Sequence, residues 1–175
     1  VKPDGMHTNP TFAAMVHSVD ENVGRVLAKL KELGIDDNTV IVFTSDNGGL
    51  SHKGGKPTGI CLNEPFRRGK GSRFEGGTRV PLIVKWPGVT PAGAICDTPA
   101  CGVDFYPTFL EIAEAKGNAE HNADVDGTSL TALLRDPTSK LARQDIYWHF
   151  PHYHAGGESP YAAVRVGDFK LIEYY

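Results

Sequence analysis

The sequence is short of several things, and each shortage excludes a class of protein. No apolar run approaches the roughly 20 residues that a membrane span needs, so no span is expected. Lysine and arginine are not in surplus: 18 of them face 21 Asp and Glu, for a net charge of -3 and a pI near 6.2. Such a chain has no field to gather nucleic acid or an anionic membrane, so any handling of an anion must be local. Cysteine is scarce and odd in number, with three residues, Cys61, Cys96 and Cys101. The Cys-x4-Cys spacing of the last two has no second pair to complete a zinc site, and both a Cys96–Cys101 disulfide and free thiols fit the spacing. No Walker loop is present, because Gly69-Lys70 is followed by Gly71 rather than Ser or Thr and Glu64 stands where the loop's first glycine belongs. Repeats and low-complexity tracts are also missing. What remains, 40% hydrophobic and 22% charged over 175 residues, is the composition of a globular protein of one domain or part of one. With Val1 first and "KLIEYY" last, inside an expected strand, the chain reads as a portion of a longer polypeptide.

Apolar residues from Phe12 to Leu33 recur at steps of three and four, which predicts a long helix over Thr11 to Leu33 with one stripe to bury. Pro10 suits its first turn and Gly34 its end. The continuous β-branched run in "IDDNTVIVF" predicts a strand covered on both faces, as in a parallel sheet. A Gly-rich loop from Gly48 to Asn63 follows, then a second buried strand in "VPLIVKW". Helical spacing returns over Asp104 to Ala115, with Pro107 in the first turn, and a short helix is expected over "SLTALLR". From Asp145 the period becomes two, predicting strands in "DIYWHF", "YAAVRVG" and "FKLIEYY", the last two joined by a tight turn at Gly167-Asp168. The expected fold class is therefore α/β: part of a mostly parallel sheet flanked by helices over residues 1–142, then from 143 to 175 the beginning of a small antiparallel subdomain.

Two stretches carry chemistry. In "TSDNGG", Asp46 and Asn47 follow a strand at its carboxyl end, the edge where open α/β sheets bind ligands. A carboxylate beside an amide oxygen offers two hard donors suited to Ca²⁺ or Mg²⁺. Turn formation alone also accounts for an Asp-Asn-Gly run. In "PFRRGKGSRFEGGTRVP", Lys70 lies between two glycines, so the backbone can approach a ligand closely while the ammonium neutralises an anionic oxygen. The surrounding Arg67, Arg68, Arg73 and Arg79 read as solvated or paired cations, with Glu75 and Arg79 a candidate pair. His149, His152 and His154 form a cluster open to three uses: metal binding, hydrogen bonding to a sugar or aryl substrate, or packing. His52 is a candidate for the pocket rim.

In this order and at these intervals, "DNTVIVFTSDNGG", "RRGKGSRFEGGTRVPLIVKWPG", "DFYPTFLEIA" and "DGTSL" resemble the second half of a type I sulfatase, arylsulfatase-like, of the alkaline phosphatase superfamily. The resemblance covers nearly the whole chain, and "YWHFPHYH" and "AVRVGDFKLI" are similar to the family's C-terminal subdomain. It implies an alkaline phosphatase-like fold, a divalent metal, usually Ca²⁺, on Asp46 and Asn47, and contact of Lys70 with the sulfate group. Relatives that act on phosphate esters usually place His after this Asp, so Asn47 favours a sulfatase. The family's nucleophile, a formylglycine made in a "C/S-x-P-x-R" context, has no matching position here and is expected upstream. Its early Asp-Asp metal pair belongs upstream as well. The resemblance also implies a periplasmic, secreted or lysosomal location.

The expected function is thus that of a sulfatase fragment, hydrolysing a small-molecule or carbohydrate sulfate ester when complete. Lys70 is the catalytic residue, Asp46 and Asn47 are metal ligands, and His52, His149 and His152 are substrate-binding candidates. Two alternatives stand beside it: a phosphate or phosphonate ester hydrolase of the same superfamily, and a truncated module without catalysis.

Overall fold

The computed structural model describes residues 8–54, 56–154 and 158–175. Helix α1 (Pro10–Glu32) begins where expected: the Asn9 side chain accepts the Phe12 N–H at 3.0 Å, and Pro10 takes the first position, where a missing N–H costs nothing. It ends at Gly34, whose φ of 64° suits the left-handed residue that closes a helix. The stripe the spacing predicted is present but not buried, since Met15, Val16, Val19 and Val26 are all more than half exposed. Helical periodicity specifies a face that needs a partner, and none of the described residues supplies one.

Strand β1 (Ile41–Thr44) pairs with β4 (Leu82–Lys85), Ile41 opposite Lys85 and Thr44 opposite Leu82. This pair is antiparallel, a correction to the parallel pairing expected of both runs, and Phe43 and Ile83 are exposed rather than covered. A continuous apolar run reports that two faces favour burial; it carries no information on the direction of the neighbouring strand. Within the Gly-rich loop, β2 (His52–Lys53) and β3 (Lys56–Pro57) form a minimal hairpin. One turn of helix, α2 (Glu75–Thr78), precedes β4.

Helix α3 (Phe105–Ile112) is preceded by a tight turn over Gly102–Asp104, with Pro107 in its first turn as the sequence required. The short α4 (Ala119–Ala123) follows, then α5 (Thr131–Arg135), the helix read from "SLTALLR". A core of Leu130, Leu133 and Leu141, with Phe105 and Leu134 against it, joins α3 to α5. Beside that core Asp104 is fully buried. It accepts the Cys101 N–H at 2.7 Å and the Thr128 N–H at 2.9 Å, and it pairs in a two-pronged fashion with Arg143, whose Nη2 lies 2.8 Å from Oδ2. That hydrogen-bonded carboxylate raises the Arg143 pKa still further above its ordinary value.

Strands β5 (Asp145–Phe150), β6 (Tyr161–Val166) and β7 (Phe169–Tyr174) make the expected antiparallel meander, Asp145 opposite Val166 and Val166 opposite Phe169. Gly167, at φ 55°, leads the two-residue turn while Asp168 keeps negative φ, as a Gly-first hairpin turn demands. Period-two alternation puts Trp148, Arg165, Lys170 and Tyr174 on one face and Tyr147, His149, Phe169 and Leu171 on the other. The first face meets α2: Glu75 pairs with Arg165 at 3.3 Å and with Lys170 at 3.2 Å. The expected Glu75–Arg79 pair is therefore not formed by the side chains, and Arg79 lies over the Phe66 ring instead. Its partners come from about 90 residues along the chain.

Candidate active site

Four segments converge behind β1: the "DNGG" turn, Asn63, the "GKG" loop and α2. Their backbones touch, which only glycine allows. A Cβ at Gly48 would collide with the carbonyl of Gly76, and one at Gly69 with the carbonyl of Gly49. Hydrogen bonds run across the contacts, from Gly48 N–H to the Gly77 carbonyl at 3.1 Å and from Lys70 N–H to the Gly49 carbonyl at 3.0 Å. Lys70 is thereby tied by its own backbone to the turn that carries Asp46 and Asn47.

Asn63 closes this arrangement. Its Oδ1 accepts the Gly49 N–H at 3.0 Å, and its Nδ2 donates to the Gly49 and Arg68 carbonyls at 3.0 and 2.9 Å. One amide side chain thus fixes the metal-side turn against the lysine loop. Sequence reasoning passed over it as the last residue of a loop; only its place between two glycine-rich segments hinted at the role.

Asp46 is exposed, with Oδ1 accepting the Asn47 N–H at 3.0 Å. Asn47 is half-buried and donates Nδ2 to the Gly48 carbonyl at 3.0 Å, which leaves its Oδ1 without a partner among the described residues. A carboxylate oxygen and an amide oxygen next to each other, both with acceptor capacity left, fit a hard divalent cation. Among the described residues no group of three or more His, Cys, Asp or Glu could hold a metal, so these two oxygens are a partial ligand set.

The cations around Lys70 are all engaged. Arg67 and Arg73 stand over the Phe74 ring, at 3.9 and 4.6 Å from its centre, and Arg73 also pairs with Glu158. Arg79 covers Phe66, and Arg68 is likewise partnered. Lys70 is different: it is exposed, and its ammonium has neither ion pair, hydrogen bond nor ring partner among the described residues. The Lys70 ammonium is thus without a local counter-charge among the described residues, on a backbone hydrogen-bonded to Gly49.

The histidines part company. His52 Nδ1 lies 2.9 Å from the Oγ of Ser51, which is buried against Gly69, so His52 is anchored beside the lysine loop. His149 lies on the sheet face away from α2, with Nδ1 3.1 Å from the Tyr175 hydroxyl. His152 meets the Phe150 ring edge-on at 5.6 Å. His154, the member of the cluster not put forward as a substrate residue, is the one whose ring comes against the lysine loop: a Cβ at Gly71 would lie 2.5 Å from its Cε1. All three cysteines are free thiols, Cys61 buried against Gly49 with its pKa raised by burial, and Cys96 exposed, so no Cys96–Cys101 bridge forms.

Two oxygen acceptors at the carboxyl end of a strand, tied by backbone to a lysine unpaired among the described residues, suit the binding of a hard cation and an anionic group. The chain belongs to the sulfatase family, whose profile matches residues 6–115. A second profile, for the C-terminal part of N-sulphoglucosamine sulphohydrolase, matches residues 69–175. A sulfatase of Formosa agariphila is 40% identical over 93% of this chain, and the match spans 30% of that protein. A solved structure in complex with its substrate D-glucosamine-2-N,6-O-disulfate aligns at a TM-score of 0.72 with 32% identity, over 91% of this chain and 30% of that one. Ps i-CgsB, solved with k-i-k-neocarrahexaose, aligns at 0.75 with 36% identity, over 93% of this chain and 34% of the other. The fold is accordingly the α/β, alkaline phosphatase-like one, with the antiparallel sheet at the C-terminal end. The chain spans about a third of the length of the relatives it matches.

Proposed function

We propose that the complete polypeptide is a sulfuric ester hydrolase acting on a sulfated carbohydrate, RO–SO3⁻ plus water giving ROH plus sulfate, and that residues 1–142 belong to its catalytic domain. The observation that carries this reading is the Lys70 ammonium, unpaired among the described residues and tied through Gly49 to the Asp46–Asn47 turn. Lys70 would hold a sulfuryl oxygen and balance the charge that grows on the bridging oxygen as the S–O bond breaks. Asp46 and Asn47 would hold part of the coordination of a hard divalent cation, Ca²⁺ on the strength of the sulfatase family resemblance. Bound there, the metal would supply charge stabilisation at sulfuryl oxygens. The nucleophilic oxygen belongs to a formylglycine outside this chain, for which no "C/S-x-P-x-R" position exists between Val1 and Tyr175. The sugar class is supported by the two carbohydrate-bound structures that this chain resembles. His52, anchored next to Gly69, stands closer to the lysine loop than His149 does, and is the better candidate for a substrate contact.

Lys70→Ala tests the reading. In the complete polypeptide with added Ca²⁺, turnover of an aryl sulfate should fall by about 10²- to 10³-fold, the cost of one charge-stabilising donor, with thermal unfolding unchanged. Turnover within twofold of the parent would reject it, and a preference for aryl phosphate in parallel assays would move the assignment to phosphate esters.

A further inference from the structure

Lys70 stands between two glycines, the worst local setting for holding a charge still, because glycine leaves the backbone the widest choice of conformations. One side of the loop is fixed by Asn63 and the Gly49 carbonyl. The other side is fixed from the connection between β5 and β6 of the C-terminal sheet. There His154 and Glu158 form an antiparallel bridge, His154 N–H donating to the Glu158 carbonyl at 3.0 Å. The two side chains of that bridge reach the loop one after the other: the His154 ring covers Gly71, and the Glu158 carboxylate pairs with Arg73.

This grip is unlike a surface ion pair. Side-chain exposure is 7% for Glu158 and 17% for Arg73. The Arg73 guanidinium is sandwiched between the Phe74 ring at 4.6 Å and the Tyr174 ring of β7 at 4.4 Å. Arg73 Nε and the neighbouring Ser72 hydroxyl are buried, with no hydrogen-bond partner among the described residues. Desolvation, followed by the Glu158 charge, raises the pKa of the adjoining Tyr161.

We propose that Glu158, acting through Arg73, is a positioning residue for Lys70, so that the C-terminal sheet sets the reactivity of the site. The proposal rests on the sulfate-binding reading of Lys70. A group that must meet a developing charge loses its effect when displaced by about 1 Å, which can cost about 100-fold in rate. The buried pair of Arg143 with Asp104 provides the control: it ties chain beside the α3–α5 core and bonds none of the residues from Lys70 to Arg73.

The experiment is a mutant cycle on the complete enzyme with aryl sulfate and Ca²⁺. Glu158→Gln should lower kcat/KM about 10- to 100-fold in the parent, and by less than about twofold once Lys70 is already Ala, because the two changes remove one effect. Arg143→Lys should lower the unfolding temperature yet leave kcat/KM unchanged. Should Glu158→Gln not fold, Arg73→Lys carries the same expectation, since lysine keeps the charge but neither the planar fork nor the ring stacking. Equal losses from Glu158→Gln in both backgrounds, or an equal loss from Arg143→Lys, would overturn the proposal while leaving the Lys70 reading intact. An unimpaired Lys70→Ala would instead remove the reading on which it rests.

Discussion

Asn63→Ala is the sharpest perturbation of the scaffold, because one side chain serves three backbone groups. The Gly49 carbonyl loses least, since it still accepts from Lys70 N–H at 3.0 Å and Ser51 N–H at 2.9 Å. The Gly49 N–H loses its partner and the Arg68 carbonyl loses a 2.9 Å bond, and each part-buried loss costs about 1–2 kcal/mol. The expected destabilisation is therefore about 2–4 kcal/mol, read as a lower urea midpoint in the complete polypeptide. Function should suffer beyond stability. The same amide holds the Asp46–Asn47 turn against the Lys70 loop, so turnover of an aryl sulfate at a temperature where the variant is folded should drop about 100-fold. Asn63→Asp keeps the bond from Gly49 N–H but sets a carboxylate against two carbonyls, and should be no better. A variant within about 0.5 kcal/mol of the parent and with unchanged turnover would refute the reasoning.

Two further outcomes follow from the titratable groups. Burial lowers the Lys170 pKa against the opposing pull of Glu75, so between that folded value and the ordinary 10.5 the unfolded chain binds more protons. Stability from this group is therefore lowest below the folded pKa and rises with pH across that window. Urea midpoints compared between the parent and Lys170→Met at neutral and alkaline pH should show the difference shifting in the parent's favour as pH rises, and a pH-independent difference would contradict it. Among the thiols, exposed Cys96 should react with a thiol-specific reagent well before Cys61, which is 5% exposed and has its pKa raised by burial. Unfolding under non-reducing conditions should release all three; recovery of a single thiol would mean that a bridge exists.

Much of the fold was legible where local signals agree. Pro10 and Gly34 marked both ends of α1, and Gly167-Asp168 fixed the β6–β7 turn, because helix ends and tight turns are decided by residues within a few positions. The α2 turn over Glu75–Thr78 was not legible, since two of its four residues are glycines with no helical preference of their own. The β2–β3 hairpin is two residues a side and includes Pro57, below what alternation can reveal. The direction of β1 against β4 was misread because periodicity is silent about direction. At the site, Asp46, Asn47 and Lys70 stood out from a strand end and a glycine-flanked cation, helped by the resemblance. The roles of Asn63, Glu158 and His154 were invisible for a different reason. Arg73 and Glu158 are 85 residues apart, and which histidine of "HFPHYH" reaches Gly71 depends on where the chain leaves β5.

The bridge between His154 and Glu158 has a practical consequence for anyone recombining such enzymes. A crossover placed between the α/β layer and the three-stranded sheet, a natural seam by chain order, would cut through contacts that hold the lysine loop. Chimeras made there inherit a sheet from one parent and its counterpart cation from another. Exchange units that carry residues 63–79 together with 154–174 keep Arg73 beside its own Glu158 and Tyr174, and Glu75 beside its own Arg165 and Lys170.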